Sequence, residues 1–193
     1  SILPLDRELI QNPEGHYIIF ATSQGRIKRS HLSDYVKINR NGKYALKFAK
    51  DSDSLVQVRP ATEEDHVVLV SSMGYACRFL PSEAKTRVDA ATGESVTTHT
   101  VRVQGRVSQG VAGMKLQSGD RVVGMIVTDD FDTSVLTISK HGMAKRSRLG
   151  SGSMVEIKLE DGTIAQGDDG GPLMERDGYR KTNRGTKGVR TMA

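Results

Sequence analysis

Cysteine is nearly absent, Cys77 standing alone in 193 residues. A lone thiol excludes an internal disulfide framework and any Cys-rich metal site, and it suits a reducing cytosol. Tryptophan is missing altogether, and four Phe and five Tyr are few for a protein that stacks unpaired bases on aromatic rings. No apolar run approaches the ~18–20 residues of a membrane-crossing helix, and no secretory signal opens the chain, so no membrane partner is expected. The 36% of apolar residues, together with 20 Gly, still suffice for a core and exclude disorder as the main state.

Catalytic templates are missing as well. Gly105 and Gly110 have the spacing of a phosphate-binding loop, but Val111 and Ala112 stand where Lys and Ser/Thr are needed. Gly150 and Gly152 are followed by Val155 instead of a third glycine, so there is no dinucleotide fingerprint. His16, His31, His66, His99 and His141 lie far apart, and His141 reads as a solvated turn residue. Asp168 and Asp169, flanked by glycines, read as a flexible acidic loop. No catalytic residue, cofactor or metal is expected in this chain.

What is present is positive charge in clusters. The net charge is +5, and stretches 24–48, 140–148 and 176–190 hold well over half of the 28 Lys and Arg, opposed only by Asp34 and Asp177. Acidic residues gather at 51–65 and 156–177. Such segregation is what a polyanion-binding surface needs, because release of counterions from phosphates rewards a local field. Charge alone leaves an ordinary basic surface equally open.

The chain also repeats itself. IIFATSQGRIKRSHL (18–32), VVLVSSMGYACRFLP (67–81) and VLTISKHGMAKRSRL (135–149) align without a gap, with Gly25, Gly74 and Gly142 in register. Each reads as a β-hairpin, two Val/Ile/Leu-rich runs around a glycine that supplies positive φ. NGKYALKF (41–48), QGVAGMKL (109–116) and KGVRTMA (187–193) form a second repeated element on Gly42, Gly110 and Gly188, followed by strands at 52–58 and 119–127. The expected architecture is all-β and propeller-like, in four-stranded units spanning 16–59, 66–127 and 134–193. Insertions at 82–104 and 150–178 enter between the second and third strands of a unit. The first holds ESVTTHTVRV (94–103), which alternates like an exposed strand, and the second a small hairpin turning at Asp161-Gly162. The chain opens without Met on SILPL and stops inside a repeat, as an excerpt from a longer chain would.

Cations recur at matched places. Arg29, Arg78 and Arg146 share one strand position and Lys28 and Lys145 another. Alternation puts Arg26 and Lys28 on one face of their strand and Ile27 on the other. Around the second glycine, Arg40 and Lys43, then Arg106, then Arg184 and Lys187 add a second cluster per unit. Stacked units would form a basic track that contacts phosphates without reading bases. Alternatively, the recurring Arg pins its turn by bonding carbonyls.

These repeats resemble the C-terminal domain of bacterial DNA gyrase A, shared in variant form with the corresponding polypeptide of topoisomerase IV. The likeness is carried by SILPL, FATSQGRIKRSHLSDY, LVSSMGYACRF, GRVSQGVAGMKLQSGDRVVGMIV, LTISKHGMAKRS and NRGTKGVRTM, in the order of the middle three of that family's six blades. It implies a β-pinwheel with strands exchanged between neighbouring blades and duplex DNA bent around a basic outer rim in support of negative supercoiling. Positions matching rim contacts are Arg26, Lys28, Arg29, Arg78, Lys145, Arg146 and Arg148, with the second cluster beside them. The partners implied are duplex DNA, the remainder of the gyrase A polypeptide and the gyrase B polypeptide, in the bacterial cytoplasm at the nucleoid. ATP and magnesium would serve other domains of that enzyme. NRGTKG (183–188) only echoes the family's basic box, and none of Tyr17, Tyr35, Tyr44, Tyr75 or Tyr179 takes the cleavage role, which belongs to another domain. The rival reading is a protein-interaction propeller docking through its insertions.

Overall fold

The computed structural model describes residues 2–37, 39–88 and 93–191. Ser1 of SILPL, residues 89–92 of the first insertion and the last two residues of KGVRTMA therefore lie outside the described residues. In chain order the elements begin with helix α1 (Arg7–Gln11), strands β1 (Tyr17–Thr22) and β2 (Arg26–His31), and helix α2 (Ser33–Val36). They continue with β3 (Leu55–Ala61), β4 (His66–Ser71), β5 (Tyr75–Phe79), β6 (Ala84–Val88) and β7 (Ser95–His99). Then come β8 (Val111–Ala112), β9 (Val122–Thr128), β10 (Ser134–Ile138) and β11 (Ala144–Arg148). The last are β12 (Met154–Glu156), β13 (Met174–Arg176) and β14 (Val189–Arg190). The described chain is thus almost wholly β, and none of its helices is long and apolar enough to cross a membrane.

The chain forms two compact units, one running to Asp129 and completed by Thr182–Thr191, the other Asp130–Lys181. The first unit contains two four-stranded sheets of the same plan. In one the order is β3-β1-β2-β8, in the other β9-β4-β5-β14. The repeated hairpins β1–β2 and β4–β5 lie at the centre of each, antiparallel, with Gly25 and Gly74 at φ 77° and 76° in their turns. Each turn is tied to the third strand by an aspartate. Asp53 accepts from Ser23 Oγ at 3.0 Å and the Gln24 and Ser54 amides at 2.9 Å, and Asp120 does the same for Ser72 Oγ, Met73 and Arg121.

The fourth strand is not local. Val111 of β8 pairs with Ile27 of the preceding hairpin, and Val189 of β14 pairs with Ala76. The sheets therefore do not coincide with the units of sequence; each is completed by the glycine-centred element of the next unit. The reason is steric. Gly110 and Gly188 sit at φ 71° and 84°, and a Cβ on Gly110 would meet the Ile27 carbonyl oxygen at 2.5 Å. Only glycine lets the incoming backbone approach that closely.

Burial follows strand alternation. Ile19, Ala21 and Ile27 of the first sheet face Val67, Leu69, Cys77 and Phe79 of the second, closed off by Val101, Met114, Val122 and Met125. On the opposite face of β1, Ile18 and Phe20 pack with Leu32 and are covered by Leu3, Leu5 and Leu9. Thus β1 is buried on both faces, which explains its unbroken apolar run.

The insertions differ from this plan. Strands β6 and β7 pair with one another and every residue in them is exposed. The second unit holds the third repeated hairpin, β10–β11, and the ribbon β12–β13. Between β12 and β13 the chain turns at Asp161-Gly162, where Gly162 has φ 82° and its amide donates to the Leu159 carbonyl. In β10 and β11 only Val135 is buried outright, against four or more buried residues in β1 and β2 each.

Two glycines with the same backbone conformation should separate strain from steric exclusion. Gly15 has φ 72° and open space around its Cβ position, so Gly15→Ala is expected to cost ~1–2 kcal/mol. Gly110→Ala adds a backbone clash with Ile27 and should cost roughly 3 kcal/mol or more, read as urea-unfolding midpoints of the two variants.

Candidate nucleic-acid interface

The twelve cations singled out in the sequence separate into three groups. Lys28, Arg29 and Arg78 are buried. Lys28 Nζ donates to the Ala45 and Arg106 carbonyls at 2.6 and 2.5 Å and lies 5.2 Å from the Phe20 ring centroid. Burial pushes its ammonium down to about 8. Arg29 lies over the Tyr17 ring, its guanidinium carbon 3.7 Å from the centroid, and bonds Glu63 at 3.2 Å. Tyr17 donates its hydroxyl to the same Glu63 oxygen at 2.7 Å, and that bond is the main reason the carboxyl titrates below its ordinary range. At the equivalent place in the second hairpin, Arg78 Nε donates to His66 Nδ1 at 3.3 Å. A cation held this way reaches no phosphate. The expectation that Lys28, Arg29 and Arg78 face a rim is therefore corrected: their charge is absorbed by carbonyls, a ring and a carboxylate inside the fold.

Arg26, Arg106 and Arg184 are half-buried, and two of them pin the exchanged strands. Arg26 reaches across to the Gln109 and Gly110 carbonyls at 2.8 and 2.7 Å. Arg184 donates to the Thr100 and Ala112 carbonyls, both at 2.6 Å. Arg26 and Arg184 thus bond carbonyls of the exchanged strands, whereas the alternative raised in the sequence concerned Arg29, Arg78 and Arg146 in their own turns. Arg106 offers its backbone oxygen to Lys28 while its own Nη1 is buried without a partner.

Arg40, Lys43, Lys145, Arg146, Arg148 and Lys187 are exposed. Lys43 Nζ donates to the Lys37 carbonyl at 2.8 Å. Lys187 lies 4.3 Å from the centre of the Tyr75 ring and, with Arg190, draws that phenol's titration below its ordinary value. Arg190 escapes a search for recurring cations because its counterparts after the second glycine are Ala112 and Tyr44. On β11 the three cations differ. Arg148 is engaged by Asp132 and, at 3.5 Å, by Asp177, whereas Lys145 and Arg146 have no acidic partner within ion-pair distance among the described residues. Arg146 holds the repeat position of Arg29 and Arg78, yet the ring-bearing Tyr17 and His66 are replaced there by Ser134. Without an imidazole or phenol to lie against, the guanidinium stays in solvent.

Lys28 offers a check on this burial. Below pH 8 it is protonated in both folded and unfolded chains. Between about 8 and 10.5 the unfolded chain holds the proton that the folded one has released, so stability conferred by this site rises with pH. Parent protein should therefore gain on Lys28→Met across that window, by an amount on the order of a few kcal/mol, in denaturant titrations at stepped pH. A constant difference would show the ammonium to be solvated.

A family model described as "DNA gyrase C-terminal domain, beta-propeller" matches residues 16–62, 95–129, 133–151 and 174–193. Among curated relatives, the DNA gyrase A polypeptide of Staphylococcus epidermidis (strain ATCC 12228 / FDA PCI 1200) is 32% identical over 179 residues, 92% of this chain. That of Staphylococcus aureus (strain MRSA252) is 30% identical over the same length. This chain spans 15% of the length of each. Among solved structures, a C-terminal domain of DNA topoisomerase IV superposes with a TM-score of 0.58 at 19% identity, over 92% of this chain and 58% of that one. A DNA gyrase A C-terminal domain gives 0.53 at 19% identity, over 93% and 62%. These two likenesses, both at 19% identity, bear on the fold.

Proposed function

The chain belongs to the family of DNA gyrase C-terminal domains, and from this premise we propose that it binds duplex DNA through exposed cations and bends it without reading base sequence. The observation that carries the reading is that Lys145 and Arg146, consecutive on β11 and so on its two opposite faces, both stand in solvent without an acidic partner within ion-pair distance among the described residues. Phosphates reward such cations by releasing condensed counterions, whatever the sequence. Arg40, Lys43 and Lys187 extend the contact set, and Arg148 joins it only by loosening its hold on Asp132 and Asp177.

Within a type II topoisomerase the role would be mechanical. Bending a stiff duplex costs on the order of 1–6 kcal/mol over a few helical turns, and many small phosphate contacts offset it. DNA held in that bend is presented to the cleavage gate with a set handedness, which biases strand passage toward negative supercoils. Cleavage, ATP and magnesium chemistry would reside in the rest of the gyrase A polypeptide and in gyrase B, and the complex would act at the bacterial nucleoid in the cytoplasm.

If about six phosphates are neutralised, log affinity against log salt should fall with a slope near −5, measured by fluorescence anisotropy on a mixed-sequence duplex. Lys145→Glu with Arg146→Glu should weaken binding at least tenfold at low salt. Arg148→Glu alone should do less, because that guanidinium is already neutralised. A flat salt response sinks the proposal. Indifference to the double reversal would favour docking of a protein partner on the fully exposed strands β6 and β7.

A further inference from the structure

The first insertion and the loop before β14 flank a cavity that the proposed function does not use. Its volume is about 440 Å³, and its lining includes Thr98, His99, Thr100, Arg102, Val111 and Arg184. All of these belong to the larger compact unit. They come from three segments far apart in the chain: β7 with the residues after it, the exchanged strand β8, and the loop 183–188.

Two of the side chains are held in place with a donor site to spare. Arg184 spends Nε and Nη1 on the Thr100 and Ala112 carbonyls, both at 2.6 Å. Those two bonds fix the plane of the guanidinium and leave Nη2 without a partner among the described residues. His99 donates from Nδ1 to the Ser82 carbonyl at 2.7 Å, and its Nε2 has no partner among the described residues. Arg102 is exposed and makes no hydrogen bond or ion pair among the described residues. Lys85, the cross-strand neighbour of Thr98, adds a third full charge beside the cavity, its ammonium bonded at 3.0 Å to the neutral Asn183 side chain.

Three cations thus converge where none is neutralised. The ion pairs among the described residues lie elsewhere, at Arg29 and Arg148. No carboxylate lines the cavity among the described residues, and Glu83 touches the Thr100 hydroxyl at 3.5 Å. Like charges in a concave site repel one another, and the field they focus is answered by an anion. The donors select its chemistry. A guanidinium fork matches phosphate oxygens, and a multiply charged anion suits three cations better than a single carboxylate does. The His99 imidazole is the one ring in the lining among the described residues, so there is little platform for stacking a base.

We propose that this cavity is a phosphate-binding site, in which Arg102, Nη2 of Arg184 and a protonated His99 hold the phosphate oxygens. A phosphate there bridges the insertion to the exchanged strand and to the loop 183–188, a tie that the repeats themselves do not supply. Two sources share this chemistry, a free phosphate and a phosphodiester of bound duplex, and only the second rests on the function proposed above.

Inorganic phosphate is the first probe, titrated into the parent chain at constant ionic strength against chloride and followed by amide and arginine side-chain NMR. Saturable shifts are expected at 98–102 and at the Arg184 side chain. Arg102→Ala should weaken phosphate about tenfold, and Arg102→Lys should weaken it less. Because Arg102 is exposed and unbonded, both variants should keep the parent's urea-unfolding midpoint in chloride, which shows that they fold. Shifts that do not saturate, that chloride reproduces, or that persist unchanged in Arg102→Ala overturn the proposal. A short duplex is the second probe. If it displaces phosphate from the cavity, the bound group is a backbone phosphodiester; if it binds and leaves the phosphate shifts in place, the site takes free phosphate. Lys145→Glu with Arg146→Glu should leave the phosphate titration unchanged. A parent that binds no duplex yet shows these shifts would overturn the function proposed above and leave this site standing.

Discussion

Everything in the larger unit hangs on a backbone-to-backbone approach at two glycines. Gly110 and Gly188 bring a strand from the next repeat onto the free edge of a hairpin, closer than any side chain would allow. The hairpin alone would leave carbonyls of Gly25 and Gly74 open; in the exchanged sheet they receive the Gly113, Met114 and Thr191 amides. The incoming segments also carry core residues with them, Met114 under the first sheet and Val101 beside it. Strand exchange is therefore both the hydrogen-bond closure and part of the hydrophobic closure of each blade. No repeat can complete itself from its own residues, which is the physical reason such units are stable only in series.

That constraint also explains why so many cations are not where DNA could find them. Arg26 and Arg184 bond the carbonyls of incoming strands, and Lys28 ties Ala45 and Arg106 across the same edge. Arg29 and Arg78 lie deeper, and a buried guanidinium is tolerable only with partners that answer its charge or its planar face. Tyr17 with Glu63 and His66 provide them. Where Ser134 replaces the ring, Arg146 stands free. One repeat position thus serves packing in two hairpins and stands in solvent in the third.

Legibility in the sequence follows the range of the interaction involved. Hairpin turns at Gly25, Gly74, Gly142 and Gly162 depend on local backbone preference, and all are where the sequence places them. The exposed strand in the first insertion is likewise legible, from alternation within 94–103. The paired roles of Asp53 and Asp120 have a sequence signal, since both stand at the same phase before a strand. What gave no signal is which neighbour answers each cation. Arg29 and Arg146 sit in similar strings, GRIKRS and GMAKRS, and differ in what surrounds them: Arg29 meets Tyr17 and Glu63, whereas Ser134 stands in the place of Tyr17 beside Arg146.

The sequence by itself determined the repeated hairpins, the all-β class and the family likeness, because these rest on local conformation and on the identity of aligned residues. Tertiary structure alone decided which repeat completes which sheet and which of the twelve cations keep their charge in water. Both outcomes turn on contacts between residues tens of positions apart, such as Arg26 with Gly110 and Lys28 with Arg106. Burial of a charge is a property of the packed surroundings, and no string of neighbours in the chain contains it.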